Sequence, residues 1–149
     1  MKPDDVIVVG AGPAGVAASL AAARGGCSAL LVEKNGFCGG MATAGMVNPF
    51  LGSYYRNPET GKDGDLIAGM YAEVCARLRE RGALLRFRYS DSENAPFSDA
   101  FDDAWLRIVY DRLLAEAGVA VLHHSIFLDA RIVSRRIASI RALTKGGIQ

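Results

Sequence analysis

Gly10-Ala11-Gly12-Pro13-Ala14-Gly15 follows the apolar run Val6-Ile7-Val8-Val9 without a gap and opens an alanine-rich stretch, and Glu33 closes the next apolar run. These residue types at this spacing fit dinucleotide binding. Gly10 permits a tight turn from strand to helix, Gly12 lets the main chain approach a diphosphate with no Cβ in the way, and Gly15 lets helix and strand pack closely. Pro13 suits the first helical position, where its missing N–H costs nothing. The loop amides then face the diphosphate, and the helix dipole adds roughly half a positive charge. Glu33 is placed to accept hydrogen bonds from ribose hydroxyls, while its charge disfavours a 2′-phosphate. Six residues of this pattern alone also match turns in other α/β proteins; the preceding strand, the following helix and the acid make it specific.

Other chemistry-bearing residues carry less. Cys38 stands immediately before Gly39-Gly40, where a thiol could exchange electrons with a redox cofactor, but it has no second cysteine at disulfide-reductase spacing and reads as a small buried residue. His123-His124 has no acid or cysteine at a recognisable ligand spacing, so a structural role is expected and no metal site is read. Tyr54, Tyr55 and Arg56 could meet an anionic substrate, although loop aromatics and arginines more often cover surface. Met41 and Met46 read as packing residues. No catalytic residue is singled out.

The elements that must position the glycine motif follow from periodicity. Val6 to Val9 reads as a central parallel strand covered on both faces. Ala14 to Arg24 reads as a helix stopped by Gly25-Gly26, and Ser28 to Val32 as a second strand, so residues 5–33 make one βαβ unit. Residues 35–48, rich in glycine and small side chains, read as a backbone-dominated loop. Gly52 to Gly64 reads as a second loop before a helix at about 65–81 with Leu66, Met70, Val74 and Leu78 buried, and Ala83 to Tyr89 as a strand with one wet face. Asp102 caps a helix at about 102–117 that buries Leu106, Val109, Leu113 and Ala117, and Val119 to Leu122 returns to the parallel sheet. A β-hairpin follows at about 125–144, turning at Ser134-Arg135-Arg136. Lys145-Gly146-Gly147 reads as one more turn, with the chain ending before another strand is complete, as expected of a truncated domain.

Composition narrows the function classes. Half of the 149 residues are hydrophobic, enough for a real core. Seventeen basic against sixteen acidic residues leave a net charge of +1 with no block of either sign, which argues against a nucleic-acid surface. No apolar stretch approaches the roughly 20 residues of a membrane span. The amino-terminal residues do not read as a signal peptide, and three cysteines without pairing spacing fit a reducing compartment, so a cytoplasmic location is expected.

At Val6 to Gly15, Glu33-Lys34 and Gly39-Gly40-Met41-Ala42-Thr43-Ala44-Gly45, the chain resembles the FAD-dependent oxidoreductase family of the glutathione-reductase-like flavoprotein superfamily. Phe101-Asp102, Glu116-Ala117-Gly118-Val119 and His124-Ser125-Ile126 to Asp129 extend the resemblance over nearly the whole chain. It implies an α/β, Rossmann-like FAD/NAD(P)-binding fold with a parallel sheet and an appended β-hairpin. The implied cofactor residues are Gly10, Ala11, Gly12, Pro13, Ala14, Gly15, Glu33 and Lys34 on the ADP side, and Gly39, Gly40, Met41, Ala42 and Thr43 beside the ribityl chain and flavin. The strand near Phe127 is implied to meet the adenine through its backbone. No histidine lies where some relatives attach flavin covalently, so FAD is expected to be non-covalent. A small-molecule substrate and an electron acceptor are implied, and an oligomer is compatible. A non-catalytic FAD-binding module and an NAD-dependent dehydrogenase domain stay open; the latter calls for a third strand and helix soon after Glu33.

Overall fold

The computed structural model describes residues 4–88, 95 and 97–149; Met1–Pro3 and Tyr89, named in the sequence reading, lie outside these. The chain, expected as one domain, divides into two compact units: residues 1–41 with 110–149, and residues 42–109.

The first unit is built on β1 (Val6–Val9), α1 (Pro13–Arg24) and β2 (Ala29–Val32). β1 and β2 are parallel, with Val6 opposite Ala29 and Val9 opposite Val32. α1 has Pro13 at its first turn and stops where Gly26 adopts φ +91, a conformation that glycine reaches without a Cβ clash. It buries Val16, Ser19 and Leu20.

The second unit starts inside a short 3-10 turn (Gly40–Ala42) and holds two antiparallel pairs. β3 (Tyr54–Arg56) pairs with β4 (Asp63–Asp65), and β5 (Leu84–Arg88) pairs with β6 (Phe97–Phe101). Between the pairs runs α2 (Met70–Arg79), burying Val74, Cys75 and Leu78. Phe50 stacks on Phe101 at 4.2 Å between ring centres, with Tyr71 edge-on.

α3 (Asp103–Glu116) carries the chain from one unit back to the other. Asp102 caps it, accepting the Trp105 amide at 3.0 Å, and Gly118 at φ +74 ends it. β7 (Ala120–Leu122) joins the parallel sheet beside β2, giving the order β1-β2-β7. A separate antiparallel sheet, ordered β10-β9-β8, consists of β8 (Ile126–Val133), β9 (Arg136–Thr144) and β10 (Gly147–Ile148).

Several expectations are corrected. β2, not β1, is the central strand, and Ile7 and Val9 are exposed, Val9 at 52%, because α1 packs on one face of β1 only. The helix expected at about 65–81 starts at Met70: Asp65 is claimed by β4, whose partner Tyr54 sits opposite it, and Leu66 is 58% exposed. The expected loop 52–64 is the β3–β4 hairpin, turned by Asn57, whose side-chain oxygen accepts the amides of Glu59 and Thr60, and by Gly61 at φ +65. Ala117 is only half-buried, just past the end of α3, its amide bonded to the Leu113 carbonyl. The terminal turn is followed by β10, which pairs with β9, and Gln149 exchanges two backbone hydrogen bonds with Ala142. No helix of the described residues is long and apolar enough to cross a membrane.

Candidate functional site

The glycine loop sits at the corner between β1 and α1. Gly10 is at φ +94, and its amide donates to the Val32 carbonyl at 2.8 Å, so the loop leaves at the C-terminal end of the β1–β2 pair. A Cβ on Gly15 would stand 1.8 Å from the Gly10 carbonyl oxygen, so at this point helix and strand approach too closely for any other residue. Gly12 differs. Its φ of −68 is open to any residue, and a Cβ there would meet nothing within 4 Å. The space above Gly12 is open, and packing places no demand for glycine there.

The first amides of α1 lie at the start of the helix, just after Gly12. No side chain caps the helix, and among the described residues no acceptor meets the amides of Gly12, Ala14 or Gly15; Val16 is the first to donate within the helix, to Gly12. Unsatisfied donors at the positive end of a helix dipole form an anion site. The vacant volume at Gly12 and the donor set fit a diphosphate.

Glu33 reaches the same loop. Its side chain is 4% exposed; Oε2 accepts the Ala11 amide at 2.7 Å, and Oε1 accepts the Asn35 amide at 2.7 Å and the Asn35 Nδ2 at 2.8 Å. A carboxylate has about four lone-pair positions, so one stays available to a ribose hydroxyl. Asn35 is a partner that the sequence reading missed; its place two residues after the strand-end acid is the usable signal.

The segment after Glu33 returns to the glycine loop. Gly39 donates to the Ala11 carbonyl at 2.7 Å, and a Cβ on Gly40 would stand 2.8 Å from the Gly12 Cα. Gly39 at φ +117 and Gly40 at φ +51 hold this turn. The structure thus brings Gly10, Gly12, Gly15, Glu33, Gly39 and Gly40 together. Met41 is exposed, while Ala42 and Thr43 are buried. Met46, expected to pack, is 82% exposed at φ +54. Beyond β7 the chain runs beside Glu33: Ser125 donates to the Glu33 carbonyl at 2.9 Å and His124 to that of Asn35 at 3.1 Å. Phe127 lies two residues further, in β8.

Two side-chain clusters were invisible in the sequence. In the first unit, Cys38, Asp111 and His123 come together from the loop after Glu33, from α3 and from the residue after β7. Burial pushes the Cys38 thiol up to about 12, and the carboxylates of Asp111 and Glu33 add to the shift, so the thiol is protonated and donates to Asp111. In the second unit, Asp99 is wholly buried on β6, opposite Arg86 on β5. It accepts from Tyr54 and from Arg86 Nε at 3.3 Å, with Arg79 at 3.8 Å. Tyr54, expected on the surface, is buried, and Arg86 lies over its ring at 3.9 Å. Burial first, and then the hydrogen bond to Asp99, raise the Tyr54 phenol to about 12.

The thiamine thiazole synthase of Aeropyrum pernix is 48% identical over 56 residues, which cover 38% of this chain and 18% of that protein. Among solved structures, a flavocytochrome c3 fumarate reductase matches with a TM-score of 0.62 at 20% identity, over 97% of this chain and 31% of its own. A 3-ketosteroid dehydrogenase from Rhodococcus jostii matches with a TM-score of 0.56 at 16% identity, over 97% of this chain and 43% of its own. At these identities the structural likeness is one of fold. The chain spans less than half the length of each relative. A family profile described as FAD dependent oxidoreductase matches residues 5–149, nearly end to end. The chain thus belongs to the FAD dependent oxidoreductase family, with FAD as its cofactor.

Proposed function

We propose that this chain is the cofactor-holding part of a flavoenzyme of the glutathione-reductase-like superfamily, which oxidises or reduces a small molecule and exchanges electrons with a separate acceptor. The observation that carries the reading is the open space over Gly12 at the start of α1, where the amides of Gly12, Ala14 and Gly15 have no acceptor among the described residues. FAD supplies two-electron chemistry when bound; the chain supplies binding and orientation. In this reading the amides at the start of α1 hold the diphosphate with Ala11 and Pro13 shaping the turn, Glu33 holds the ribose, and Lys34 flanks it. Gly39, Gly40, Met41, Ala42 and Thr43 follow the cofactor toward the flavin. The strand through Phe127, led past Glu33 by Ser125, takes the adenine side. FAD is held without a covalent bond, since the only histidines, His123 and His124, follow β7. Three cysteines in no disulfide fit a reducing, cytoplasmic setting.

An NAD-dependent domain fits less well. After Glu33 the chain does not proceed to a third parallel strand; that strand is β7, reached only after the whole second unit. The test is the absorption spectrum of the purified protein dialysed against FAD, against NAD and against neither. Stoichiometric flavin bands with no NAD retention are expected; NAD retained in preference to FAD would overturn the reading.

A further inference from the structure

Glu33 and the glycine loop leave one cluster of the first unit unexplained. The ligand atoms of Cys38, Asp111 and His123 lie within 4.8 Å of one another, although they come from a loop, a helix and a strand end far apart in sequence. Cys38 is fully buried, His123 is half-buried and Asp111 is exposed. The His123 Nδ1 is buried with no hydrogen-bond partner among the described residues, an unfavourable state unless something else meets the nitrogen. Both charges that act on the Cys38 sulfur, those of Asp111 and Glu33, are negative. A thiol, an imidazole and a carboxylate converging in a negative environment are the donor set of zinc and its neighbours, not of calcium or magnesium.

We propose that Cys38, Asp111 and His123 bind a divalent cation of the zinc class. Tetrahedral bonds of ordinary length place such donors about 3.3–3.6 Å apart, so the cluster closes with shifts of about an ångström. The cation takes a lone pair from the imidazole and one from the Asp111 carboxylate. The Cys38 S–H bond breaks as the sulfur–metal bond forms, and the proton leaves to water. A water fills the fourth position through the exposed Asp111 side. The site ties the loop before Gly39-Gly40 to α3 and to the end of β7, so its occupation fixes that loop without touching the glycine cradle.

The test is metal binding by the metal-stripped full chain, with zinc measured by competition dialysis and cobalt by absorption. One metal per chain and a cobalt–thiolate charge-transfer band are expected. Cys38→Ser should abolish the band, and His123→Gln and Asp111→Asn should each weaken binding at least tenfold, whereas Cys27→Ser, Cys75→Ser and His124→Asn should change neither readout. The proposal is overturned if the wild-type chain takes up no stoichiometric metal, or if the band survives Cys38→Ser. Asp111 is exposed, so its variant keeps the fold and decides the matter even if Cys38→Ser does not fold: undiminished affinity in Asp111→Asn also overturns the proposal.

Discussion

Gly15 and Glu33 show how single residues divide the work between folding and binding. A Cβ at Gly15 would collide with the Gly10 carbonyl at 1.8 Å, a backbone atom that cannot step aside. Gly15→Ala is therefore expected to cost about 2–4 kcal/mol, read as a lowered urea midpoint, with FAD affinity lost as a consequence of unfolding. Glu33→Gln keeps the shape but loses one of two acceptor oxygens now used by Ala11 and Asn35. It should cost about 1–2 kcal/mol of stability and weaken FAD binding at least tenfold, measured by flavin fluorescence titration. The thiols sort by environment as well. In metal-free protein at neutral pH, Cys27 is exposed and should react with iodoacetamide, while Cys38 and Cys75, both buried and both shifted upward chiefly by burial, should not; mass spectrometry of the alkylated peptides checks this.

At the scale of elements, the β8–β9 hairpin turns through Ser134 at φ +48 and Arg135 at φ +64, both left-handed and neither a glycine. Replacing the pair by Asn-Gly should raise stability by about 1 kcal/mol, visible as a higher Tm, because the primed turn then forms without strain. In the second unit, the buried Tyr54 phenol stabilises the fold while protonated. Its folded pKa lies above the ordinary 10.0, so its contribution is complete below that pH and is lost as pH rises toward about 12. Phenolate absorbance in an alkaline titration should show Tyr54 ionising late, as burial also makes Tyr71 do, and Tyr54→Phe should reduce the late step. Local pattern made the elements of the first unit legible: β-branched runs, the glycine corner, Pro13 and Gly25-Gly26 all act within a few residues. The second unit was legible only in part. The β3–β4 hairpin was read as a loop, its turn residues Asn57-Pro58-Glu59-Thr60-Gly61 masking the short strands on either side, and β6 and the pairing of Asp99 with Arg86 depend on register between strands, which no local period encodes. The meeting of Cys38, Asp111 and His123 was illegible for the same reason, since it exists only once α3 and β7 are in place.

For the molecule as a whole, the central claim is that the space over Gly12 is kept for the diphosphate of FAD. Gly12 has an ordinary φ and an unobstructed Cβ position, so packing gives no reason for glycine there. This separates it from Gly15 and allows fold and binding to be tested apart. The most direct measurement is FAD affinity of Gly12→Val against wild type by equilibrium dialysis, with circular dichroism and the urea midpoint recorded for both. An unchanged fold with affinity reduced at least a hundredfold is predicted; a folded Gly12→Val protein that binds FAD as tightly as wild type would contradict the account.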